Sequence, residues 1–239
     1  MRKDKLAKNA DITISTLLHN FYDNWMEGIT GLFSLERKDA TLTLGHLVQR
    51  ARNGHRLKSI MNTWDKLVEQ GQIKEGYEDS DQNYSLLQEL LNALDDDLLN
   101  EDRFELLRKI YFVTATEMVE DRDSVLPYQL MLIGRTLNSG EVVVLFTVHR
   151  LVAKHGSPLA RSNNVQDWIN RIAKESGMEF PQLAESFVAS LVEKGLLTGR
   201  TAVGSYISEG SDIDRLTRLG KKFCDYVIYY DTELSEKED

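Results

Sequence analysis

Few residues in this chain have the type and spacing that chemistry requires. The segment "DSDQNYS", residues 79–85, sets Asp79, Asp81 and Asn83 at positions 1, 3 and 5 of a calcium-loop pattern. That loop needs glycine at position 6 for its sharp turn and a bidentate glutamate at position 12. The chain has Tyr84 and Leu90 there, so the segment reads as a polar connector. Asp95, Asp96 and Asp97 offer three carboxylates in a row. Neighbours on a helix point about 100° apart and do not converge on one cation, so a solvated helix face is expected. The histidines, His19, His46, His55, His149 and His155, include no i, i+4 pair that would place two imidazoles on one metal. Neither a nucleophile elbow nor a phosphate-binding P-loop occurs. The single cysteine, Cys224, falls in an aromatic helical run and reads as buried packing. The expectation is a protein that is not an enzyme and takes no metal or cofactor.

Two basic runs could meet phosphate instead. "QRARNGHRLK" contains Arg50, Arg52 and Arg56 with His55 and Lys58. A second set, Arg215, Arg218, Lys221 and Lys222, lies near the C-terminus, and Arg200 stands upstream of it. Lys221 and Lys222 sit early in an expected helix, where cations oppose the dipole and an anionic partner would help explain them. The competing reading of both runs is the solvated face of an amphipathic helix. A net charge of -9 argues against broad affinity for a polyanion but not against a local patch. "FCDYVIYY" concentrates Phe223, Tyr226, Tyr229 and Tyr230 over more than one helix face. Part is expected in a core, and the rest to hold a homodimer together.

The elements that must position these groups are helical. Residues 13–33 carry Ile14, Leu17, Leu18, Phe21, Trp25, Ile29 and Leu32 at helical spacing. Helices are expected from Leu42 to Gln70, through "YSLLQELLNALDDDLL", after an N-cap at Asn100, and from Ser124 to Leu137. Asn138 with Glu141 begins like a capping box, so residues 140–154 read as a helix despite "VVVLFTV"; a strand is the alternative. Val165–Glu175 is a short helix, and Pro181 opens another that ends at Gly195. Two short extended runs and a final helix near Leu219 complete the order, with the tail "TELSEKED" expected to be disordered.

Composition fits a globular chain able to bury a core, with 41% hydrophobic and 28% charged residues. The longest apolar run, residues 142–148, is too short to span a bilayer, and the first twelve residues lack a secretory apolar stretch. With one cysteine, these features point to the cytoplasm and away from membranes.

"LVEKGLL" followed by "LTRLGKKF" resembles the winged-helix domains of MarR- and PadR-type regulators. The helical stretch "LLNALDDDLLNEDRFELLRKIYF" with that ending also resembles bacterial abortive-infection alpha-type proteins. The resemblance implies an all-α protein with a small β wing: a helical region over 1–137, a winged-helix domain over 138–231 and an acidic tail over 232–239. It implies a non-catalytic, dimeric DNA-binding regulator or, alternatively, a protein-docking subunit of a defence or other multiprotein complex. One departure stands out. The residues opening the recognition helix are Glu179, Phe180, Pro181, Gln182 and Glu185, which set two carboxylates toward a polyanion. Any DNA contact is therefore expected from the basic runs.

Overall fold

The computed structural model describes residues 40–94, 100–116, 125–155, 165–198 and 216–235, with side chains from residue 52 onward except His155 and Val165. The expected helix around Trp25, the triplet Asp95–Asp97, and Arg200 and Arg215 lie outside the described residues, as does the Arg50 side chain. Eight α-helices are described: α1 (Ala40–Glu69), α2 (Asp81–Leu94), α3 (Glu101–Ala115), α4 (Val125–Thr136), α5 (Ser139–His155), α6 (Val165–Ser176), α7 (Pro181–Glu193) and α8 (Arg218–Tyr229). A π-helical turn, Tyr230–Leu234, continues α8. There is no sheet among the described residues, only two isolated antiparallel bridges. None of the described helices is long and apolar enough to cross a membrane.

The chain divides into two compact units. One holds residues 1–99 and 114–128, the other 100–113 and 129–239. The second unit thus takes in most of α3 and α4 as well as the region 138–231.

In the first unit, Leu57, Ile60, Met61, Trp64 and Leu67 form the buried stripe of α1, and Leu86, Leu87, Leu90 and Leu94 that of α2. Asn53 lies on the same stripe of α1, and its side-chain amide donates to the Leu94 carbonyl at 2.5 Å. That bond ties α1 to the last described turn of α2. The calcium-like segment turns out to be the start of a helix. Ser80 Oγ accepts from the Asn83 backbone N–H at 3.1 Å, and the buried Asn83 side chain donates back to the Glu78 carbonyl at 3.0 Å. Asn83 is therefore turned inward, away from any calcium-like loop.

In the second unit, Asn100 caps α3 by accepting from Arg103 N at 2.9 Å. The capping box at α5 closes in both directions. Glu141 N donates to Asn138 Oδ1 at 2.9 Å, and Asn138 N donates to Glu141 Oε2 at 2.8 Å. This start, and the burial of Val144, Leu145, Val148 and Leu151, outweigh the β preference of the valine run. Helices α5, α6 and α7 pack pairwise, and α8 packs on α5. Trp168, Ile169 and Ile172 of α6 are buried in this packing. Gly140 lets α5 approach α7, because a Cβ there would overlap the Phe187 ring. The C-terminal segment extends the core where a disordered tail was expected. Tyr230 and Leu234 are buried, Arg108 lies over the Tyr230 ring at 5.2 Å, and Lys109 pairs with Asp231 at 2.6 Å. Residues 236–239 lie outside the described residues.

Candidate nucleic-acid interface

The two sequence steps that carry the winged-helix resemblance have specific structural work. In "LVEKGLL", Gly195 takes φ +71, a conformation that favours glycine. Its N–H reaches the Val192 carbonyl at 2.9 Å, and the Leu196 N–H reaches Leu191 at 2.9 Å. These paired bonds are a Schellman cap that stops α7 and turns the chain into an extended run. In "LTRLG", Thr217 Oγ1 accepts from Gly220 N at 2.9 Å and caps α8. The same hydroxyl lies within donating reach of the Gly195 carbonyl at 2.7 Å and the Leu196 carbonyl at 3.0 Å. Leu197 and Leu216 then pair as an antiparallel bridge. Residues 199–215, where the wing was expected, lie outside the described residues.

Beside this junction is a pocket of about 300 Å³ between the second half of α5 and the start of α8. Val152, Ala153 and Leu216 give it apolar walls, and His149, Arg218 and Lys221 give it basic ones. His149 Nε2 faces Asp225 at 3.5 Å. Arg218, Lys221 and the neighbouring Lys222 are exposed, and no acidic side chain among the described residues pairs with them. Lys154 of α5 is also exposed.

Helix α7 presents a different surface. Glu179, Gln182, Glu185, Ser186 and Ala189 are exposed, together with Phe180 at 56% and Leu183 at 50%. That surface holds carboxylates and apolar groups, and no cation.

The residues singled out for phosphate contact separate by burial. Arg52 is exposed, with His55 and Lys58. Arg56 is not part of that surface: it is 1% exposed, and its guanidinium sits 3.5 Å from Asn53 Oδ1. Its position, one turn before Ile60 and two before Trp64, places it on the apolar stripe. The aromatic cluster also turns inward. Phe223, Tyr226 and Tyr230 are buried within the unit and Tyr229 is half-buried, so this helix offers little free aromatic surface for a dimer. Cys224 is fully buried, and burial together with the Asp225 charge pushes its thiol well above the usual range. Among the described residues, no group of three or more histidine, cysteine or acidic side chains is placed to hold a metal ion.

One cluster escaped the sequence reading. Glu141 is 2% exposed, yet its Oε1 accepts from Lys194 Nζ at 2.5 Å and from the Ser190 hydroxyl. Lys194 Nζ also donates to Ser190 Oγ at 2.8 Å. Burial pushes the Glu141 carboxyl upward, but hydrogen bonds from Lys194, Ser190 and the Asn138 backbone outweigh it and hold it below its ordinary 4.5. The carboxylate therefore joins the start of α5 to the end of α7 through three donors. No family model matches the chain, and neither the curated proteins nor the solved structures contain a significant match to it.

Proposed function

We propose that residues 138–231 form a winged-helix module and that the chain is a non-catalytic, nucleic-acid-binding protein that contacts phosphate through the α5–α8 edge. The order of α5, α6 and α7, a bridge between the flanks of residues 199–215 and a closing helix supports the fold. The single observation that carries the function is the set of exposed cations Arg218, Lys221 and Lys222, with which no acidic side chain among the described residues pairs. They stand at the start of α8, where the helix dipole disfavours positive charge, and a bound phosphate would offset that cost. Helix α7, the usual reading element of such modules, brings Glu179 and Glu185 where donors are needed.

A second reading, a protein-docking module without nucleic acid, is favoured by the exposure of Phe180 and Leu183 on α7.

Titration of a DNA duplex at several salt concentrations separates the two. Neutralising Arg218, Lys221 and Lys222 together should reduce the slope of log affinity against log salt by about 0.9 for each phosphate that is no longer neutralised. Gln182→Ala should leave the slope unchanged. Absence of binding to any duplex at low salt would remove the nucleic-acid reading and leave the docking one.

A further inference from the structure

We infer that a second copy of this chain docks the Phe180–Leu183 corner of its α7 into the α5–α8 pocket. The inference rests on the docking reading of α7 and does not require nucleic-acid binding.

The two surfaces are complementary in both shape class and charge. The corner is a knob: Phe180, just before α7, is 56% exposed, and Leu183 is 50% exposed, side chains large enough to be worth burying. Exposed carboxylates at Glu179 and Glu185 flank them. The pocket, at about 300 Å³, has room for one large side chain. Its walls repeat the pattern with the opposite charge: Val152, Ala153 and Leu216 are apolar, and Arg218 and Lys221 supply the cations at the rim. A knob that meets a pocket elsewhere on an identical molecule makes a head-to-tail contact, unlike the same-patch contact of a two-fold dimer. The surfaces are small, so the association belongs to the weak, concentration-dependent class. Phosphate and the α7 carboxylates of a neighbouring copy then compete for the same two cations.

Sedimentation velocity of the full chain across a concentration series, without nucleic acid, tests this with charge-exchanged variants at exposed positions. Wild type should shift to faster-sedimenting species as concentration rises. Glu185→Lys alone sets cation against cation, and Lys221→Glu alone sets acid against acid, so each should stay monomeric at concentrations where wild type associates. Mixing the two variants makes both alternating contacts attractive, the native pairing and the exchanged one, and association should return only in the mixture. Phe180→Ser should weaken wild-type association by about tenfold, the scale for removing one anchoring side chain. A wild-type chain that stays monomeric throughout overturns the inference, as does association that neither exchange alters. Because nucleic acid is absent, either result leaves the phosphate-binding proposal to be decided by its own titration.

Discussion

Replacing Gly220 by alanine is expected to destabilise the C-terminal unit by about 3 kcal/mol. A Cβ at this position would overlap the Leu196 carbonyl oxygen. That oxygen cannot easily recede, because it also accepts from Thr217 N at 3.1 Å and lies within reach of the Thr217 hydroxyl. Relief would require α8 to lift away from the end of α7, breaking the cap and the Leu197–Leu216 bridge. Alanine's better helix propensity returns at most about 1 kcal/mol. Gly140→Ala is the informative comparison. There the obstacle is the Phe187 ring, which can swing on its own torsions, so the destabilisation should be smaller and partly relieved by also shortening Phe187. Urea unfolding followed by circular dichroism measures both. Equal effects at the two glycines would show that the close backbone approach at Gly220 does not constrain the unit.

Lys194→Met should cost about 3 kcal/mol at neutral pH, the lower end for breaking a buried pair, since Lys194 keeps part of its side chain in solvent. Methionine keeps an unbranched apolar side chain of similar length but loses the ammonium, and with it the donor to Ser190, leaving the Glu141 carboxylate buried with two of its three donors. Its folded-state pKa lies below 4.5, so the stability it contributes is present above that value and is lost as pH falls through the lowered one. In Lys194→Met, burial is no longer outweighed by the ammonium, and Glu141 takes up a proton at a higher pH. The deficit of the variant against wild type should therefore shrink on acidification. Adding Glu141→Gln to Lys194→Met should recover part of the stability, because no unpaired charge remains. A deficit that is constant with pH, or a double variant no better than the single, would contradict a structural ion pair.

Local rules make much of this architecture legible, and non-local ones hide the rest. The caps at Asn100, Asn138 and Gly195 can be read because each involves residues within a turn or two of one another. The capping box is enough to read a valine run as helix. Glu141 is legible only as a cap. Its partners Ser190 and Lys194 are 49 and 53 residues away, and nothing local announces them. Arg56 shows a different failure, whereas the aromatic cluster, expected partly in a core, is largely buried. At Arg56 residue type suggests surface chemistry, while spacing already carries the answer. Arg56 shares the face of Ile60 and Trp64, and Phe223, Tyr226 and Tyr230 follow one another at intervals of three and four. A stripe of that period is core, whatever polar atoms its members carry. The pocket cannot be read at all, since it needs α5 and α8 side by side.

Site-specific photo-crosslinking separates the α5–α8 edge from α7 as the surface that meets phosphate. A photoreactive residue is placed at position 221, at the edge of the pocket, or at position 182, on the exposed face of α7, and each protein is irradiated with a labelled duplex at low salt. Crosslinks from 221 and none from 182 are the predicted result. Crosslinks from 182 with none from 221 would show that α7 reads nucleic acid despite its carboxylates, and would contradict the assignment of phosphate contact to the α5–α8 edge.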